Sequence, residues 1–208
     1  MAKYFRWFGL KGELVLTLLL SSLALVLALV FRTPERFTCL AAMLFCTGGD
    51  LVIVNFHGIR KYIKHLLPAG AALFAIGHIF YLITYGMHLL RAGYTLGTVN
   101  GGFYIAISLV TAGMIGGSIF CIRYKRKRMI PLILIYGAVL GANACTIISY
   151  AWAAVPVRPI AVLAGIGAVV FLISDFGVAI ERLDRRHDWH SFVWWTYPIA
   201  QMLLILGA

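Results

Sequence analysis

Acidic residues are scarce in this chain: 7 Asp and Glu stand against 18 Lys and Arg in 208 residues, and charged residues together make up only 12%. That is about half the charge of an ordinary soluble protein, which excludes a normal hydrated surface. Cysteine is limited to Cys39, Cys46, Cys121 and Cys145. All four lie in or beside apolar runs without close metal-type spacing, so they read as small buried hydrophobes rather than a disulfide framework or zinc knuckle. Long polar stretches are missing too, which leaves no room for a second domain.

What the chain does have is apolar sequence. Hydrophobic residues make up 62% and the mean hydropathy is +0.93, more apolar surface than a soluble core of this size buries. Seven runs are long enough to cross a hydrocarbon core of roughly 30 Å at about 1.5 Å per residue. They lie near 14–31, 37–56, 67–87, 102–122, 130–153, 158–181 and 192–207. The first follows a basic start, as a signal peptide would, but it is long enough to span and has no small-residue cleavage site after it. It is read as an uncleaved helix. Residues 1–13, where Tyr4, Phe5, Trp7 and Phe8 alternate with Lys3, Arg6 and Lys11, form an interfacial segment.

The basic residues sit in the connections, where they act as topology signals rather than a nucleic-acid surface. With the N-terminus inside, the inner segments hold Lys3, Arg6, Lys11, Arg60, Lys61, Lys64, Arg123, Lys125, Arg126, Lys127, Arg128, Arg182, Arg185 and Arg186. The outer segments hold only Arg32, Arg36, Arg91 and Arg158. The sequence therefore predicts one all-α polytopic domain over 1–208, a seven-transmembrane-helix bundle in the cytoplasmic membrane. Its N-terminus is cytoplasmic and its C-terminus outside. Gly113 with Gly117, and Gly137 with Gly141, have the four-residue spacing that lets helices approach closely. Pro131 and Pro68 mark the starts of the fifth and third helices.

Two acids remain inside the runs. Asp50, in Thr47-Gly48-Gly49-Asp50-Leu51, and Asp175, in Phe171-Leu172-Ile173-Ser174-Asp175-Phe176, each sit six residues from a cytoplasmic helix end, roughly 9 Å into the membrane. An ionisable residue at such depth faces a protein interior or a wet cavity and is a functional-site candidate. The bland alternative is that each caps a backbone group or pairs across the bundle. Glu13, Glu35, Glu181, Asp184 and Asp188 lie at helix ends or in loops, and there the bland reading holds. Polar partners within the runs are His78, Tyr81, Asn143, Ser174, Tyr197 and Gln201. His78 is equally a strut between helices, and Asn143 and Gln201 are read as struts before reactants.

Gly49-Asp50, His78 with Tyr81, Phe171-Leu172-Ile173-Ser174-Asp175 and Tyr197-Pro198-Ile199-Ala200-Gln201 occur in an order that resembles the YhhN-like lysoplasmalogenase family of multi-pass membrane proteins. The likeness runs from about Leu14 to Gly207. The chain departs from that pattern in showing seven spans rather than eight, and in having Gly12 where the family has proline after the lysine. The resemblance implies hydrolysis of the vinyl ether bond of lysoplasmalogens to a fatty aldehyde and a glycerophospho-headgroup. It also implies Asp50 and Asp175 as the catalytic pair. The partners are then a lysophospholipid held in the membrane and water. No metal or other cofactor is required, because one carboxylic acid and one carboxylate suffice to protonate an enol ether and activate water.

Two other readings stay open. Asp50 with His187 and His190 resembles part of the zinc site of seven-helix lipid hydrolases of the alkaline ceramidase and adiponectin receptor type. Paired intramembrane Asp residues with His and Tyr also suit a proton-coupled transporter.

Overall fold

The computed structural model describes residues 12–94, 100–123, 127–183 and 190–208. They form seven α-helices: α1 (Gly12–Phe31), α2 (Pro34–Ile53), α3 (Leu66–Arg91), α4 (Asn100–Arg123), α5 (Ile130–Ala154), α6 (Ala161–Leu183) and α7 (His190–Gly207). No strand occurs among the described residues. The interfacial segment expected at the N-terminus falls almost wholly outside them.

Local chemistry sets the helix ends. At the start of α2 the Thr33 hydroxyl accepts from the Arg36 backbone N–H at 3.4 Å, and Pro34 occupies the first turn, where its missing N–H costs nothing. The helix stops after Ile53 because Asn55 turns into the left-handed region at φ 57°. Its side-chain oxygen then accepts the Arg60 N–H at 2.8 Å and steadies the 3-10 turn Phe56–Lys61. Pro131 lies in the first turn of α5.

Helix contacts close a ring. α1 packs on α2, α2 on α3, α3 on α5, α5 on α6, α6 on α7, and α7 returns to α1, while α4 lies outside against α5 and α6. Glycines bring the helices together where backbones nearly touch. A Cβ at Gly49 of α2 would come within 2.8 Å of the Phe74 ring of α3, and one at Gly77 within 3.0 Å of the Ala42 carbonyl and 2.8 Å of Cys46 Sγ. Gly207 of α7 leaves a Cβ only 2.6 Å from the Ala164 nitrogen of α6. Of the two glycine pairs expected to mark close approach, Gly137 and Gly141 of α5 receive Met114 and Val110 of α4. Gly113 of α4 faces open space instead, since α4 presents its larger side chains to α5 and the close spacing needs glycine on only one partner.

The polarity of the bundle is opposite to that of a soluble protein. Leu19, Val30, Ile135, Trp152 and Trp195 point outward, whereas Thr17, Thr47, His78, Thr84, Asn143, Ser149, Ser174 and Gln201 are buried. Exposed apolar surface of this extent costs too much in water and little in lipid. Leu14–Phe31, Pro34–Ile53, Leu66–Arg91, Lys127–Ala154 and Ala161–Ala179 are long and apolar enough to cross a membrane. Ile107–Arg123 and Trp195–Gly207 are shorter apolar helical segments among the described residues. The chain is a multi-pass helical membrane protein.

One end of the bundle is fastened by polar side chains. The last carbonyls of a helix have no partner within it. In α7 those of Leu204 and Ile205 accept from Tyr85 OH at 2.5 Å and Arg36 Nη1 at 2.6 Å. Arg158 Nη2 reaches the Ala208 carbonyl at 3.1 Å. Beside them Glu35, buried in the first turn of α2, pairs with Arg91 at 2.6 Å. Three of the four arginines assigned to the outer connections thus serve as internal fasteners.

Candidate active site

Helical periodicity gathers the polar residues of the ring helices inward. On α7, Tyr197 and Gln201 are four apart; on α3, His78 and Tyr81 are three apart; on α5, Tyr136 and Asn143 are seven apart. Each spacing places both members on one helix face. All six ring helices contribute: Thr17 from α1, Asp50 from α2, His78 and Tyr81 from α3, Tyr136 and Asn143 from α5, Asp175 from α6, and Tyr197 and Gln201 from α7.

Two hydrogen-bonded assemblies result. Asp50 Oδ2 accepts from Thr17 Oγ1 at 3.0 Å and from Tyr197 OH at 3.0 Å. Behind Tyr197, Gln201 Nε2 donates to the tyrosine oxygen at 3.3 Å, and Gln201 Oε1 accepts from Tyr81 OH at 2.6 Å. Asp175 Oδ2 accepts from Tyr136 OH at 2.5 Å. The same tyrosine oxygen lies 3.4 Å from His78 Nε2, and the other ring nitrogen, Nδ1, lies 2.9 Å from Asn143 Nδ2.

An aromatic wall joins the two. The Phe171 ring meets His78 edge-on at 4.7 Å between centroids and Tyr197 at 5.7 Å. Phe74 closes on Tyr197 at 6.0 Å, at a right angle. Such edge-to-face contacts fix ring orientation and add about 0.5–1.5 kcal/mol each beyond burial.

Accessibility divides the site into layers. Asp50, Asp175, Tyr136 and Tyr197 are partly accessible, while His78, Tyr81 and Gln201 are sealed at 0% exposure. Thr17 and Asn143 are buried with them. The two aspartates are thus less enclosed than the polar residues behind them.

Of the residues singled out from the sequence, Asp50, Tyr81, Tyr197 and Gln201 form one assembly, and Asp175, His78 and Asn143 belong to the other. Ser174 stands apart: its hydroxyl is buried and makes no hydrogen bond to either carboxylate. His78 is fully enclosed with both ring nitrogens engaged by protein groups, so it faces the network and not an open cavity. Sequence reasoning missed Tyr136 and Thr17. Tyr136 lies two helical turns before Asn143, and Thr17 is four residues before Ser21 in a leucine-rich run; those same-face spacings were the available signal. Among the described residues no three His, Cys, Asp or Glu side chains are gathered to hold a metal ion. His187 and the side chain of His190, on which the zinc reading depends, lie outside the described residues.

Comparison with known proteins adds an independent line. The family model described as the YhhN family matches residues 10–208. The curated protein named Lysoplasmalogenase TMEM86A, from Homo sapiens, is 24% identical over 189 residues, covering 88% of this chain and 69% of that one. No solved structure matches the chain.

Proposed function

We propose that this chain, which belongs to the YhhN family, hydrolyses the vinyl ether bond of lysoplasmalogen-type lysophospholipids by two-carboxylate acid and base catalysis. The observation that carries the reading is the pair of partly buried aspartates, Asp50 and Asp175, on two ring helices. Each is held by a tyrosine hydroxyl, and the Phe171 ring packs between Tyr197 and His78 of the two assemblies. The named activity of the human relative supports the substrate class.

The chemistry balances with water as the only co-reactant. One aspartic acid donates its proton to the β-carbon of the enol ether, leaving an oxocarbenium ion that the other, ionised carboxylate stabilises. That carboxylate then takes a proton from a water as its oxygen attacks the cationic carbon, giving a hemiacetal. Collapse breaks the bond to the glyceryl oxygen, which receives a proton as the hemiacetal hydroxyl loses one. The products are a fatty aldehyde and a glycerophospho-headgroup. The division of labour parallels glycoside hydrolysis, which also passes through an oxocarbenium-like state between two carboxyl groups. Tyr197 orients Asp50 and stands where it can meet the ether oxygen or the water. Tyr81 and Gln201 hold Tyr197 from behind.

The membrane setting fits the substrate. We read the protein as a single polytopic domain with seven spans and the N-terminus cytoplasmic, seated in the cytoplasmic membrane. A lysolipid then slides in between helices with its chain in the apolar layer and its linkage about one headgroup depth below the surface. Asp50 and Asp175 lie near that depth.

The test is aldehyde release from a lysoplasmalogen by the purified protein in detergent, compared with Asp50→Asn and Asp175→Asn. Loss of turnover in both variants is expected. Near wild-type turnover in either removes that residue from the mechanism. Solute flux in proteoliposomes without any aldehyde release would replace the hydrolase by a transporter.

A further inference from the structure

The second assembly has a direction. Asn143 sets its amide nitrogen 2.9 Å from His78 Nδ1; an amide N–H only donates, so with the amide this way round the ring nitrogen it meets is the one without a proton. A neutral imidazole then carries its proton on Nε2, the nitrogen facing Tyr136 at 3.4 Å. With its oxygen receiving that N–H, the Tyr136 hydroxyl is free to donate to only one partner, and Asp175 Oδ2 lies 2.5 Å away. With the Asn143 amide set that way, every donor in the series Asn143, His78, Tyr136 points toward Asp175.

We infer that Tyr136 is a positioning residue for Asp175, and that Asn143 acts through the His78 tautomer to aim the Tyr136 hydroxyl at that carboxylate. This rests on the hydrolase reading for its effect on turnover but not for its geometry. The opposite tautomer would undo the arrangement. If Nδ1 carried the proton, Nε2 would become an acceptor, and the single Tyr136 proton would be divided between His78 and Asp175. Full enclosure of His78 keeps bulk water from supplying a substitute donor. Phe171 packs edge-on against the ring at 4.7 Å between centroids. The role differs from that of a group touching substrate, because neither His78 nor Asn143 has any surface on which a substrate could rest.

The experiment is 15N NMR of protein labelled at histidine, in detergent, with the His78 resonances identified by their loss in His78→Gln. Wild type is expected to show a neutral ring protonated on Nε2. Asn143→Asp, whose carboxylate can only accept, is expected to move the proton to Nδ1 and to lower kcat about 10-fold or more with little change in KM, as misdirected catalytic groups do. Tyr136→Phe should give the same kcat loss while leaving the Nε2 tautomer in place. A wild-type ring protonated on Nδ1, or a tautomer switch in Asn143→Asp with unchanged kcat, overturns the inference. The wild-type tautomer needs no variant to fold beyond the one used for identification, and it is read without turnover. Failure of the hydrolase reading would instead appear as no aldehyde from the wild-type protein.

Discussion

Tyr136 and Asp175 meet through a 2.5 Å hydrogen bond across the α5–α6 interface, and the same tyrosine oxygen faces His78 on α3. Asp50 has a counterpart in Tyr197, at 3.0 Å. Each carboxylate is thus oriented by a phenol from another helix of the ring, and the surroundings of those phenols are where substitutions will tell most.

Tyr197→Phe removes a hydroxyl but keeps the ring that packs against Phe171 and Phe74. Asp50 then loses one of its donors and Gln201 Nε2 loses its acceptor. The expected outcome is a fall in kcat for aldehyde release of about 10-fold with KM little changed. The stability cost should be about 1 kcal/mol, near that of one hydrogen bond. Steady-state kinetics together with thermal unfolding in detergent separate the two effects.

Tyr81 and Gln201 are both fully buried and bonded at 2.6 Å. Tyr81→Phe leaves the Gln201 carbonyl oxygen without its donor in a dry interior, which should cost about 1–3 kcal/mol. Tyr81→Phe combined with Gln201→Leu should destabilise by less than the sum of the single changes, because the second removes the group that the first strands. A double-mutant cycle of unfolding free energies checks this; strict additivity would mean the bond carries no coupling.

Gly77 lies one residue before His78, at a close approach of α3 to α2. In Gly77→Ala the new methyl would lie 2.8 Å from Cys46 Sγ and 3.0 Å from the Ala42 carbonyl. Backbone cannot give way as a side-chain tip can, so the helices must separate, at a cost of about 1–3 kcal/mol for overpacking. His78 and Asp50 ride on the two helices involved, so turnover should fall with stability. Gly113→Ala, at a position with open space, is the matched control and should leave both unchanged.

Glu35 is 1% exposed, whereas its partner Arg91 is 59% exposed. Arg91→Ala strands a buried carboxylate and should destabilise more than Glu35→Gln, which removes the charge that needs a partner. Solvent around Arg91 weakens the pair, so the loss should fall below the roughly 3–5 kcal/mol seen when a fully buried pair is broken. Adding Glu35→Gln to Arg91→Ala should restore part of the loss. Thermal unfolding of the three variants tests the order, and equal losses would rule it out.

Much of this organisation was readable in the sequence, for physical reasons. A carboxylate amid leucines and isoleucines is conspicuous whatever the fold, so Asp50 and Asp175 stood out at once. The seven apolar runs correspond to seven helices among the described residues, five of them long and apolar enough to cross a membrane. Helix ends shifted where local chemistry intervened: the run near 37–56 becomes Pro34–Ile53, because Thr33 and Pro34 begin the helix early and the left-handed turn at Asn55 stops it. Tyr136 was not distinguishable among ten tyrosines, because its hydroxyl acquires meaning only from the rotation of α5 against α6. Thr17 escaped for the same reason, since a threonine in a leucine-rich helix commonly bonds its own backbone. Ser174 shows the converse: adjacency to Asp175 in sequence turns its side chain about 100° away around the helix, and it takes no part.

The ring of helices also fixes an order of events during synthesis. Asp50 is made early, but the Tyr197 hydroxyl that orients it is 147 residues later, on the helix that closes the ring against α1. Until α7 has left the ribosome and entered the bilayer, α1 and α2 hold a carboxylate whose tyrosine has not yet been made. A nascent chain halted before α7 therefore carries both aspartates while Asp50 still lacks the Tyr197 hydroxyl.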